Sequence, residues 1–223
     1  MAASAEIRQP PREKYLRSNG MGPLADDAKG RNKRQQILEA AARQFSAFGF
    51  QGANMRDVAA EAGVLAGSIY YHFPSKEALF IAVHAAAVDM MTVAVRLAVE
   101  GFTDPWQRLE EAAAAHCQAL NGTNAFMGVI APIFPPIAAE VRAQLTAQRD
   151  TYESMFSNLI EEINIPHSVD AKIFRLHLLG ALNATKFWYR PGRHQPAEIG
   201  RQLVRMLRGS NNPAANTDAT FST

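Results

Sequence analysis

One cysteine, Cys117, is all that this chain of 223 residues carries. That excludes a disulfide framework and any zinc site built on several thiolates, and it fits a reducing, cytoplasmic setting. Long hydrophobic runs are missing as well. No stretch approaches the roughly 18 consecutive apolar residues of a membrane-spanning helix. The longest uncharged segment, 112–139, is broken by His116, Gln118, Asn121, Asn124 and three prolines. The opening MAASAEIRQPPREKY has no apolar core behind its charges, so no secretory signal is expected there. Alternating β-branched runs and paired strand signals are scarce, which disfavours a sheet. Glycine-rich phosphate loops, metal-ligand spacings and nucleophile motifs are absent. His84, His116, His177 and Cys117 are the only obvious chemical groups in the body of the chain. His116 and Cys117 are adjacent on a helix, where neighbours diverge by about 100°. Neither an enzyme, a cofactor nor a metal is therefore expected, and Cys117 reads as a small buried hydrophobe rather than a redox sensor.

Excess charge of either sign is also lacking. The 23 Lys+Arg and 21 Asp+Glu residues leave a net charge of only +2. The average hides a division. Residues 1–76 hold eleven basic and seven acidic side chains, a net +4, so the remainder carries −2. The basic excess gathers at Lys29, Arg31, Lys33 and Arg34, a stripe that attracts phosphate or simply solvates a helix start.

What is present is helical pattern and its punctuation. Residues 1–28, with Pro10, Pro11, Pro23 and Gly22, read as a disordered leader, and 209–223 as a flexible tail. Between them the spacing predicts nine helices. The first runs from Lys29 to Phe48, with Ile37, Ala41, Phe45 and Phe48 on one face and Gly49 as its stop. Two short helices follow, Asn54–Ala62 and Ala66–His72. A fourth is capped by Ser75 and reaches Glu100. Asp104-Pro105 opens a fifth to Leu120, and a short piece covers 123–130. Three more span 137–163, 169–189 and 196–208. Domains are expected at 29–75 and 76–208.

The segment NMRDVAAEAGVLAGSIYYHFPSK, residues 54–76, carries the function. Ala59, Gly63 and Ile69 supply what a helix-turn-helix requires. The small residue permits a close helix crossing, the glycine turns the chain, and the aliphatic residue anchors the second helix. That helix then turns Ala66, Gly67, Ser68, Tyr70 and Tyr71 outward, and its diameter suits the major groove of B-DNA.

With RQQILEAAARQFSAFGF, RDVAAEAGV and SIYYHFPSKEALF, the stretch 29–80 resembles the TetR family of bacterial transcriptional repressors. The resemblance implies an all-α, nine-helix fold: an N-terminal three-helix DNA-binding domain, a divergent ligand-binding domain, and a homodimer made by the last two helices. It implies phosphate contacts by Asn54, Arg56 and Lys76, a DNA-facing edge of Tyr70, Tyr71 and His72, and a structural Phe73. Where the family commonly has Ser-Lys-Gly, this chain has Leu65-Ala66-Gly67, so the usual lysine contact is missing. Ser68 and Tyr71 remain as base readers, Ala66 can touch only a thymine methyl, and DNA shape takes a larger share of specificity. The leader residues Arg8–Arg17 read as disorder or as a minor-groove arm.

The C-terminal part is expected to sense a small molecule. Met90, Trp106, Phe126, Phe134, Arg149, Tyr152 and Phe156 are candidate pocket residues, although such side chains also fill ordinary helical cores. Residues 141–160 and 180–207 resemble, more weakly, TetR repressors that answer acyl-CoA thioesters in lipid or steroid breakdown. On that reading Arg149, Lys186 and Arg190 meet a CoA phosphate; the alternatives are salt bridges and helix C-terminal charge complements. Pro132, Pro135 and Pro136 form a kinked connection suited to a gate. Ile173, Leu176, Gly180, Ala184, Leu203 and Leu207 form the expected dimer seam, or else close the core of one subunit. A dimer with recognition helices about 34–36 Å apart calls for a near-palindromic operator. A DNA-binding adaptor acting through a protein partner, without a small ligand, is the competing function.

Overall fold

The computed structural model describes residues 22–130 and 134–210. The described residues form eight α-helices and one 3-10 turn, with no strand among them. In chain order they are α1 (Gly22–Gly52), α2 (Met55–Glu61), α3 (Ala66–His72), α4 (Lys76–Val99), α5 (Pro105–Leu120), the 3-10 turn Ala125–Val129, α6 (Ala139–Glu161), α7 (Ala171–Trp188) and α8 (Pro196–Ser210). The all-α class is as expected; the count of nine is not. The piece at 123–130 is the 3-10 turn, capped by Asn124, whose Oδ1 accepts from the Phe126 N–H at 3.0 Å. Five residues suit 3-10 geometry, and prolines just beyond discourage continuation. The first helix also begins at Gly22, seven residues before Lys29, so 22–28 are helical rather than leader. The remaining leader, including Arg8–Arg17, and residues 211–223 lie outside the described residues.

Local chemistry explains the other ends. Ser75, Asp104 and Asp170 cap α4, α5 and α7 by accepting the N–H of Ala78, Gln107 and Ile173. Gly49, at φ 68°, breaks α1 in the left-handed region that glycine enters without strain. That break alters the expected apolar face. Ile37, Ala41 and Phe45 are buried, but Phe48 is 63% exposed, because the chain is redirected and Phe50 enters the core instead. Phe50 packs on Phe45 and Phe80 at centroid distances of 6.2 and 5.1 Å.

Helix α4 is the spine of the molecule, packed against α1, the 3-10 turn, α5 and α6. It buries Leu79, Phe80, Val83, His84, Ala87, Met91 and Val95. By length and a mean hydropathy of 2.0 it is apolar enough to cross a membrane, which a search for unbroken apolar runs misses. Here that hydropathy belongs to a helix with neighbours on several sides. The α5–α8 pair is the closest-packed. A Cβ on Gly200 of α8 would lie 2.4 Å from the Ala113 carbonyl oxygen. Arg201 clasps Glu111 through two hydrogen bonds of 2.7 and 2.8 Å, and Arg205 Nε donates to Glu110 at 2.9 Å.

Candidate functional site

The helix-turn-helix forms as its residue types demand. Ala59 and Ile69 are buried at 2% and 0% exposure, and Val58 at 1%. Gly63, at φ 66°, turns the chain, and the Val64 N–H returns to the Ala59 carbonyl at 3.0 Å. Arg43 and Gln44 of α1 both hold the Glu61 carboxylate, fixing α2. The hydrogen bond from Arg43 keeps Glu61 below its usual pKa, with that from Gln44 adding to it. Phe73 is buried beneath the Arg34 guanidinium, 4.9 Å from its ring centroid, so Phe73 is structural and one member of the basic stripe is engaged.

With one face of α3 pinned by Ile69, the other is presented to solvent. Ala66 and Gly67 are exposed and Ser68 half-buried. Tyr70 is 53% and Tyr71 88% exposed; the half-buried His72 ring stands edge-on to Tyr71 at 5.2 Å. Leu65 escaped the sequence reading. It precedes α3 and is 82% exposed, its signal being an unpartnered leucine in a tight turn.

Asn54, Arg56, Tyr70 and Lys76 line one open cleft beside this face. Their roles differ from the expectation. Asn54 caps α2: its Oδ1 accepts the Asp57 N–H at 2.9 Å, and its amide donates to the Asp57 carboxylate. Lys76 donates to the carbonyls of Ala53 and Gln51 at 2.9 and 3.3 Å and lies 4.6 Å from the Phe50 ring centroid. Its ammonium closes the end of α1 onto α4. Arg56 is exposed and makes no hydrogen bond or ion pair among the described residues.

The second site is a pocket of about 50 Å³ between α4, α5, α6 and α7. Val88, Met91, Ile130, Phe134 and Leu179 give it an apolar wall. His84, His116, Arg149, Tyr152, Glu153 and Asn183 give it a polar one. Of the seven expected pocket residues, Phe134, Arg149 and Tyr152 are therefore brought together. The other four are not part of the lining. Met90 points outward, 37% exposed, with the Asn124 amide on its sulfur at 3.5 Å. Trp106 stands at α5 beneath Arg208, 5.8 Å away. Phe126 is core in the 3-10 turn. Phe156 forms a second layer, fully buried against His116 and Tyr152. Reading by residue type selected aromatic side chains and passed over the histidines and Asn183, whose convergence comes from three helices.

The polar wall is desolvated. His116 Nδ1 lies 2.8 Å from the Tyr152 hydroxyl. Burial lowers the His116 pKa to about 4, although the Asn183 side chain favours the charged form. Burial raises that of Tyr152. His84 Nδ1 is 2.6 Å from Gln148 Oε1; burial lowers its pKa against that hydrogen bond. Both imidazoles are neutral near pH 7. Behind them, burial pushes Cys117 up to about 11, so it is no reactive thiolate.

Lys186 does not face an open site. Its ammonium donates to the carbonyls of Met127, Gly128 and Ile130, pinning the 3-10 turn to α7, and burial lowers its pKa. Gly128 in turn presses on α1, where a Cβ would come within 2.4 Å of Ser46 Cβ. Arg190 donates to the carbonyls of Phe187 and Tyr189, the helix C-terminal complement.

A third surface runs along α7. Ile173, Leu176 and Gly180 are exposed, with Ala184 half-buried on the same stripe. A Cβ on Gly180 would meet nothing within 4 Å. Leu203 and Leu207 of α8 are half-buried and pack on the core of their own chain, so that part of the expected seam is weaker. Phe187, Trp188 and Met206, at 66%, 56% and 69% exposure, extend the apolar face instead.

Two family models match this chain. Residues 37–83 match "Bacterial regulatory proteins, tetR family", and residues 103–210 match "Tetracyclin repressor-like, C-terminal domain". Together they span more than two thirds of the sequence. The HTH-type transcriptional repressor KstR2 of Mycobacterium tuberculosis (strain CDC 1551 / Oshkosh) is 26% identical over 184 residues, covering 80% of this chain and 92% of that protein. Among solved structures, the superantigen PfiT aligns at a TM-score of 0.69 with 28% identity, covering 78% of this chain and 95% of that one. AibR in complex with isovaleryl coenzyme A and operator DNA aligns at 0.68 with 23% identity, covering 78% and 97%. A helix-turn-helix with its second helix turned to solvent, followed by the matching C-terminal domain, places the chain outside the enzymes: it belongs to the TetR family of bacterial transcriptional regulators, whose members bind operator DNA.

Proposed function

We propose that this chain is a repressor that holds a near-palindromic operator as a homodimer and is released by a small apolar or acyl-CoA-like ligand. The observation that carries the reading is the linkage of its two sites by α4. His84, Val88 and Met91 of α4 line the pocket, and Lys76 at its start grips the end of α1. A ligand that shifts α4 acts on the frame that holds α3. The 3-10 turn supports the same linkage, since Ile130 lines the pocket and Gly128 touches α1. AibR, solved in complex with isovaleryl coenzyme A and operator DNA, supports the ligand class.

On this reading Arg56 and Tyr70 meet phosphates at the open cleft, with Asn54 and Lys76 setting its walls. Tyr71, Ser68, His72, Ala66 and Gly67 face the groove, joined by Leu65. The stripe from Ile173 to Ala184, with Phe187, Trp188 and Met206, meets a second copy. Coupling of about 1–3 kcal/mol between ligand and DNA loosens the operator roughly 5–150-fold. Operator titration with and without acyl-CoA thioesters tests this, and a common affinity with every ligand would count against it. The small pocket volume favours one other reading, an adaptor that answers a protein partner. Copurification of a partner that alters operator affinity, with no ligand effect, would support it.

A further inference from the structure

Two buried side-chain polar atoms among the described residues lack a hydrogen-bond partner of good geometry: His116 Nε2, with the Asn183 side chain beside the ring, and Arg149 Nε, which has only the longer ion-pair approaches of Glu153 and Asp150. Both belong to the wall of the same pocket. Buried polar groups are nearly always satisfied, so a pair of orphans facing one cavity demands an explanation. We propose that the pocket takes a carboxylate, which accepts from His116 Nε2–H and from the Arg149 guanidinium, with the carbon chain of the ligand against the apolar wall. This deepens the ligand-responsive reading and rests on it.

The protonation pattern favours an acceptor. His116 Nδ1 and the Tyr152 hydroxyl share a hydrogen bond of 2.8 Å, and in the tautomer where the hydroxyl donates, the ring hydrogen sits on Nε2. Arg149 has donors only. In that tautomer both orphans offer hydrogen, and a ligand oxygen accepts.

The charge balance favours an anion. Glu153 is the carboxylate on the pocket wall, and it serves two guanidiniums, Arg175 at 2.5 Å and Arg149 at 3.5 Å. Its hydrogen bond goes to Arg175; the approach to Arg149 is an ion pair without hydrogen-bond geometry. Asp150 approaches Arg149 at 3.7 Å from a side chain 62% exposed to solvent. His84 and His116 are neutral. Arg149 thus has ion-pair neighbours but no carboxylate hydrogen-bonded to it, and its planar guanidinium suits one. The Arg149 guanidinium is held 5.6 Å from the Phe134 ring centroid, which limits its rotation.

Such a carboxylate can be a free acid or the far end of an acyl-CoA thioester. A five-carbon set separates these sources: pentanoate, 1-pentanol, pentanoyl-CoA and glutaryl-CoA, titrated calorimetrically into the full chain. Pentanoate is expected to bind at least about tenfold tighter than pentanol, or glutaryl-CoA at least about tenfold tighter than pentanoyl-CoA, as loss of one charge-assisted pair requires. Arg149→Met should remove that preference; Arg149→Lys should keep part of it. Arg149 is 40% exposed, so both variants should fold, and unchanged melting would verify it. Neutral ligands binding as tightly as their carboxylate partners, or a preference that survives Arg149→Met, would overturn the inference while the ligand-responsive reading stands. Silence from all four also overturns it. The wider reading falls only if no cell metabolite alters operator affinity.

Discussion

The DNA-reading part and the pocket-bearing part are both helical, yet they keep their working residues in opposite places. In α2 and α3 one face is buried by Val58, Ala59 and Ile69, and the working face is solvent-exposed, Tyr71 at 88%. In the C-terminal part the working residues are buried, His84 at 3%, His116 at 1% and Tyr152 at 6%. A surface reader can change side chains without altering its scaffold. A buried pocket cannot, because much of its lining, His84, Met91, His116, Tyr152 and Leu179 among it, is also core. Divergence in one region is therefore cheap, and in the other it requires repacking.

The sharpest way to break this comparison is to remove the second copy. Ile173→Glu with Leu176→Glu places two charges on the exposed α7 stripe. Sedimentation should show a monomer, and operator affinity should fall about 100-fold or more as two linked half-sites become one. A stable dimer would refute the seam.

The second test is pH. The folded pKa of His116, about 4, lies below its unfolded value of 6.5. The unfolded chain binds the extra proton, so this contribution is complete above about pH 6.5 and is lost as pH falls towards 4, in total roughly 3 kcal/mol. Melting curves across that window should show the loss, and His116→Asn should flatten it. The reader has no buried histidine, His72 being half-buried.

Third, Gly200→Ala pushes a Cβ into the Ala113 backbone and should destabilise the protein by about 1–3 kcal/mol by thermal melting. Fourth and smallest in stability, Tyr71→Ala should leave melting unchanged within about 0.5 kcal/mol and weaken operator binding by about tenfold, as the loss of one groove contact implies. The salt dependence sharpens its neighbours. Arg56→Ala should lower the slope of log affinity against log salt by about one phosphate equivalent. Lys76→Met should leave the slope in place and lower stability, because that ammonium is engaged by carbonyls.

Legibility followed the same division. The helix-turn-helix could be read from Ala59, Gly63 and Ile69, because its interactions lie within about a dozen residues. The caps Ser75, Asp104 and Asp170 are equally local. Phe48 was misplaced because the chain turns at the positive-φ Gly49 just after it, and Phe50 beyond the turn is the ring that enters the core. The engagements of Lys76 and Lys186 were not legible because their partners are backbone carbonyls 23 and 56 to 59 residues away. Met90, Trp106, Phe126 and Phe156 have the right chemistry for a pocket but the wrong helix faces or depths.

The sequence alone determined an all-helical chain, a basic N-terminal reader with a glycine turn, and a body without catalytic or thiol chemistry. Those properties depend on composition and on contacts between near neighbours. The tertiary structure decided which cations are already engaged, which aromatic residues are core, and that His116 and Arg149 offer donors to one pocket. These depend on how α4, α5, α6 and α7 cross. Such crossings bring together residues as far apart as His84 and Asn183, and no local pattern records them.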